Sequence, residues 1–288
     1  MIAIPLAAVA ALGWGAADFL GGVAQDRRTP VFSVVALAEL MGAGLLVPVV
    51  ALRGLPPADP RLLLACVAGL GVTLELSLIY AALSAGAAFI TAPVGALGTV
   101  LAVGAGLFGG DPVTAGIAVG LALAIGGGAL SAGSGEDGHG SLSPGRLATV
   151  CAGAAIGIAA GLIALHSAGR VDPYWTVEIE HLTTAVSAGA IAVLVVRRDR
   201  RGTARLMPTR DRWRCLAAIA VTGTGGDVAY TAASHGGALS VVSAIASLYP
   251  IATVALGVAV ARRRATPLQA IGIAIALAGA ALLGAVSP

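Results

Sequence analysis

The sequence predicts an all-α membrane protein of ten transmembrane helices in two inverted five-helix repeats. Three observations carry that expectation: composition, the length of the apolar runs, and internal repetition. Of 288 residues, 58% are hydrophobic and only 11% charged, with a mean hydropathy of +0.94. An ordinary soluble domain carries about 25% charge, so a soluble globule of this composition could not cover its surface with polar groups. That excludes a soluble enzyme, a nucleic-acid binder and a disordered chain.

Ten runs have the ~20 mostly apolar residues that cross the hydrocarbon layer. The first, 2–24, begins at Ile2 with no Arg before it and reads as a retained helix rather than a cleaved leader. Runs 30–52 and 62–84 follow, bounded by Arg27-Arg28-Thr29-Pro30 and by the segment Gly54–Arg61. Gly86 separates 62–84 from 87–109, and Asp111-Pro112 separates that run from 113–132. Residues 133–145, rich in Gly and Ser, form a hydrophilic linker. Run 146–169 ends before Asp172-Pro173, which opens 173–196. The basic segment Arg197–Arg214 precedes 215–236, and the last two runs, 238–260 and 266–286, are parted by Arg262–Arg264. None alternates with period two, so strands are not expected.

All 17 basic residues are Arg. Fourteen would lie on one side of the membrane and three on the other (Arg53, Arg61 and Arg170). The positive-inside rule then places Arg197–Arg214 in the cytoplasm and both termini outside. Cys66, Cys151 and Cys215 have neither disulfide nor metal spacing. Gly104–Gly109 fits a dinucleotide fingerprint, but inside an apolar run with no strand before it.

The repetition is specific. Tyr80, Ala82, Ser84, Gly86 and Ala88 recur as Tyr230, Ala232, Ser234, Gly236 and Ala238. Gly116, Ile117, Ala118 and Leu121 recur as Gly272, Ile273, Ala274 and Leu277. The expected domains are a first repeat, 1–132, the linker 133–145, and a second repeat, 146–288. Five spans per copy invert the second copy, and inverted repeats place a site near the midplane where they meet.

The chain resembles the drug/metabolite transporter superfamily, in its EamA-like branch. The resemblance rests on Gly13-Trp14-Gly15, on Tyr80–Ala88 leading to Pro93, and on Tyr230–Ala238 leading to Ser247-Leu248-Tyr249-Pro250. The Glu of the family's turn before each terminal helix is absent from Gly109–Pro112 and Arg263–Pro267. The resemblance implies export or exchange of small metabolites.

Ionisable groups inside spans are costly and mark function. The acids are Asp18, Glu39, Glu75, Glu178, Glu180 and Asp227, with no Arg inside a span to neutralise them. Asp227, Tyr230, Thr231 and Ser234 share a helix face, mirrored by Ser77, Tyr80 and Ser84. Trp14 and Asp18 share another, suited to an amino or ammonium group. Trp14, Asp18, Tyr80, Asp227, Tyr230, Ser234 and Tyr249 are therefore expected to bind substrate. Asp227, Glu39, Glu75, Glu180 and His166 are candidates for proton coupling or gating. Glu75 is expected to turn away from the polar stripe, and Glu178 to pair with His181. Mid-span Pro93 and Pro250 are candidate hinges. The structural alternative, hydrogen bonding between helices, applies to each acid.

The function expected is secondary transport, as an exporter or exchanger, of a small polar metabolite such as an amino acid. It would use alternating access in the inner (cell) membrane, with proton coupling as an option. The partners expected are a small-molecule substrate and the lipid bilayer, with no nucleic acid, and the chain is expected to be a monomer. No catalytic residue, metal site or cofactor is expected. The alternatives are a multidrug or quaternary-cation exporter, a non-transporting membrane scaffold, or an intramembrane enzyme.

Overall fold

The computed structural model describes residues 2–24, 28–84, 91–132, 143–199, 202–260 and 266–286, with backbone alone at 80–84, 91–93, 132 and 144. The described residues contain eleven α-helices and no strand. They are α1 (Ala3–Ala24), α2 (Val31–Arg53), α3 (Leu64–Ser84), α4 (Thr91–Phe108), α5 (Ala115–Ala132), α6 (Pro144–Gly169), α7 (Pro173–Arg198), α8 (Trp213–Ala233), α9 (Leu239–Ala246), α10 (Tyr249–Ala259) and α11 (Pro267–Val286). Seven stretches are long and apolar enough to cross a membrane, one of them Leu239–Ala259 taken across the α9–α10 break. Within the described residues α4 and α5 offer shorter apolar stretches, and α8, which carries Asp227, is not among the seven. Most of the linker 133–145 lies outside the described residues.

Local chemistry sets the boundaries. Asp172 caps α7 by accepting hydrogen bonds from the backbone N–H of Tyr174 and Trp175, both at 2.9 Å, and Pro173 begins the helix without needing a donor. The run expected at 238–260 is divided at Ser247 and Leu248. Pro250 is the cause: its ring collides with the carbonyl four residues back, at Ala246, the last residue of α9. Pro93 lies at the edge of the described part of α4, and its side chain lies outside the described residues.

The main packing pairs are α1 with α8, α3 with α6, α2 with α7, α4 with α6 and α5 with α11. Further contacts join α3 to α7, α2 to α8, α4 to α9, and α1 to both α9 and α10. One end of the bundle carries the basic loop: Arg205 N–H donates to Arg28 O at 2.8 Å, joining it to the α1–α2 connection. At the other end Arg53 of α2 meets Asp172 of α7, and Asp111 accepts from Ser240 N–H at the start of α9, at 2.7 Å. That end is filled by Ala7, Ala10, Ile117, Tyr230 and Val242, all buried in one continuous cluster.

Candidate functional site

A cavity of about 710 Å³ lies among the helices and has Asp18, Glu39, Glu75, Glu180 and Asp227 on its wall. No Arg lines it. Its lining includes Gly21 and Gly22 near the end of α1, Val31 and Val34 at the start of α2, and Ile219 in the first half of α8. It therefore occupies the half of the bundle towards the basic end and stops at the packed cluster of the other end.

Glycine sets the approach of the walls. A Cβ on Gly13 would stand 2.6 Å from Thr222 O and 2.9 Å from Gly226 Cα, so α1 and α8 could not come this close with any larger residue. The approach lets Trp14 Nε1–H donate to Asp227 Oδ1 at 2.7 Å. The Trp14 ring lies 5.3 Å from that of Tyr230 and 6.5 Å from that of Tyr249, edge-on to the latter.

On the α2–α7–α8 side, His181 Nδ1 stands 2.5 Å from Glu39 Oε2 and 2.8 Å from Glu180 Oε2. Its Nε2 shares a hydrogen bond of 3.0 Å with Thr224 and lies 4.0 Å from Asp227 Oδ2. Thr184 donates to the second oxygen of Glu180 at 2.7 Å. Room for the imidazole comes from Gly42 of α2, where a Cβ would be 2.9 Å from Nε2. Glu39, Glu180 and His181 form the one trio among the described residues spaced to hold a metal ion, their ligand atoms within 4.8 Å of one another. The nitrogen is nevertheless nearer both oxygens than ligands of one ion usually stand, roughly 3 Å for bonds of about 2.1 Å. The geometry is that of an imidazole shared between two carboxyls.

The expected site residues divide as follows. Trp14, Asp18, Tyr249, Asp227, Glu39, Glu75, Glu180 and Pro250 all line the cavity. Tyr230 and Ser234 stand behind its wall: the Tyr230 hydroxyl donates to Leu162 O and shares a hydrogen bond with Ser243, both at 2.9 Å, and Ser234 donates to Tyr230 O at 3.0 Å. His166 is buried on α6 away from the lining. The side chains of Tyr80 and Pro93 lie outside the described residues.

Two orientations differ from expectation. Glu75 faces the cavity, whereas Thr73, two positions before it on α3, turns to α7 and meets Ser187 at 2.7 Å. Their positions two apart on a helix require them to diverge; the sequence does not say which faces the hollow. His181 pairs with Glu39 and Glu180, and Glu178 Oε2 has no hydrogen-bond partner among the described residues. His181 and Thr224 were therefore missed as site residues. Their signal was a histidine beside an acid, nine residues into a span.

A bundle of apolar helices around an acid-lined hollow defines a multi-pass membrane protein. A sequence model of the EamA-like transporter family matches residues 144–285, so the second half of the chain belongs to that family. The fold is also that of a solved protein crystal structure, with a TM-score of 0.78 at 18% identity, over 99% of this chain and 97% of that one. No curated protein matches the sequence.

Proposed function

We propose that the chain is a secondary transporter of a small polar metabolite, working by alternating access around the acid-lined cavity. The observation that carries this reading is the cavity itself: five carboxyl side chains reach a hollow that approaches one end of the bundle while the other end is packed shut. Carboxyls at that depth are costly against lipid, and a water-filled passage relieves the cost.

The packing pattern supports ten spans in two inverted repeats. When α1 to α5 are exchanged with α6, α7, α8, the α9–α10 pair and α11, the principal contacts map onto one another. The α1–α8 pair becomes α6–α3, α2–α8 becomes α7–α3, and α2–α7 and α5–α11 are unchanged. A two-fold relation of this kind gives two states of similar energy, each closed at one end. By the positive-inside rule the cavity approaches the cytoplasm in this state. We place the protein in the cell membrane as a monomeric exporter or exchanger, with no catalytic role.

Proton coupling fits the Glu39–His181–Glu180 group, which Asp227 and Thr224 join to the cavity wall. The test is flux in proteoliposomes under an imposed pH gradient, with a panel of labelled amino acids and amines. Accumulation of one solute that collapses with the gradient is expected. Failure of every solute to move, with protein shown to be folded and inserted, overturns the transporter reading.

A further inference from the structure

From the chemistry of the cavity wall we infer that the cargo is an organic amine without a carboxylate, held by Asp18 and Glu75 against Trp14 and Tyr249. This inference rests on the transport reading and narrows its cargo. Three observations carry it.

The first is charge. Among the described residues the wall holds five acids and no arginine, and the nearest base, His181, is already engaged by Glu39, Glu180 and Thr224. A carboxylate on the cargo would meet no positive partner among the described residues.

The second is the state of the donors. Trp14 N–H donates to Asp227, Thr99 to Gly95 O at 3.0 Å, and Thr253 to Gly15 O at 3.0 Å. The wall offers few free donors to an anion, whereas acceptors abound. Asp18 and Glu75 have no hydrogen bond or ion pair with any described residue, and both reach the cavity. Glu180, only 3% exposed, lines it too, its carboxyl already shared by His181 and Thr184.

The third is arrangement. Asp18, Glu75, Trp14 and Tyr249 line the same cavity. Tyr249 meets Trp14 edge-on, giving the acids an aromatic neighbour. Two carboxyls beside two aromatic rings suit an ammonium group, which the acids attract and the ring faces accept. An amino acid would bring its own carboxylate into the same acid field, and repulsion would offset the gain.

The experiment compares matched probes on the full chain in detergent: phenethylamine, phenylalanine, 3-phenylpropionate and 2-phenylethanol, with putrescine and ornithine as an aliphatic pair. Quenching of tryptophan fluorescence reports binding. Each amine is expected to bind at least tenfold more tightly than its amino acid, and the anion and the alcohol to bind least. Asp18→Asn and Glu75→Gln, checked for folding by circular dichroism, each weaken the amine at least tenfold, and Asp59→Asn, on an exposed loop, leaves it unchanged. Phenylalanine or 3-phenylpropionate binding as tightly as phenethylamine overturns the proposal, as do amines that bind the two variants normally or do not bind at all. Flux of an amino acid or anion in proteoliposomes would sink the amine assignment while leaving transport standing; flux of no solute would sink transport.

Discussion

Trp14 Nε1 and Asp227 Oδ1 are 2.7 Å apart, a hydrogen bond that joins the first helix of one half to α8 of the other. It fixes the aromatic wall of the cavity to an acid that also approaches His181. Asp227→Asn keeps an acceptor for the indole but cannot release a proton. Flux driven by a pH gradient is expected to vanish in that variant, while solute-for-solute exchange persists. Counterflow and gradient-driven uptake in the same vesicles separate the two, and unchanged gradient-driven uptake argues against a coupling role for Asp227.

His181→Gln removes the base between two carboxyls. Breaking a buried ion pair by removing one partner costs about 3–5 kcal/mol, so a clear fall in Tm is expected. Adding Glu39→Gln to that variant should restore much of the loss, because one carboxyl then no longer faces another. Thermal melts of the two single variants and the double variant measure the coupling.

Gly42→Ala tests the room made for that imidazole. The new methyl would stand 2.5 Å from Thr224 Oγ1 and 2.9 Å from His181 Nε2, so the hydrogen bond between them must give way. Loss of gradient-driven flux is expected with a Tm decrease of only a few degrees. Normal flux would mean that the position of the ring is not critical.

Asp172 has two tasks at the far end: it caps α7 and pairs with Arg53. Arg53 also lies over the Tyr174 ring, 5.0 Å from its centroid. Asparagine is as good a cap as aspartate, but it is uncharged. Asp172→Asn should therefore lose only the ion pair, worth under about 1 kcal/mol for a partly exposed partner, while Asp172→Ala loses about 1 kcal/mol more. Equal melting temperatures for the two variants would count against the capping role.

Accessibility gives a direct test of which end is open. With Cys66, Cys151 and Cys215 replaced by Ser, Gly22→Cys should react with a membrane-impermeant maleimide from the face that carries Arg197–Arg214 and not from the other. Val242→Cys, in the packed cluster, should react from neither. Equal labelling of position 22 from both faces contradicts a one-sided opening.

Much of the helical layout was legible because long apolar runs bounded by Pro, Gly and Arg leave the backbone few choices. The helix ends at Arg53, Phe108, Gly169 and Ala259, each followed by described residues, fall within one residue of the ends of the apolar runs. The motif Gly13-Trp14-Gly15 was legible as a feature, and its reason is the close approach of α8 and α10 to α1. The facing of Glu75 was not legible, because periodicity gives relative angles on one helix and says nothing of the neighbour each face meets. The pairing of His181 escaped for the same reason. Glu178 and Glu180 flank it in sequence, and the choice between Glu178 and Glu39 is made by the packing of α2 on α7.

The break before Pro250 separates two short rods with different attachments. The first, α9, packs on α4 and α1 and is tied to Asp111, whereas the eleven residues of α10 lean on α1 and α5. At 1.5 Å per residue α10 is about 16 Å long, so a swing of roughly 10° about its Pro250 end would carry its tip sideways by about 3 Å. On the proposed topology such a swing of α10 against α1 narrows the opening at the basic-loop end while the packed cluster at the opposite end stays in place.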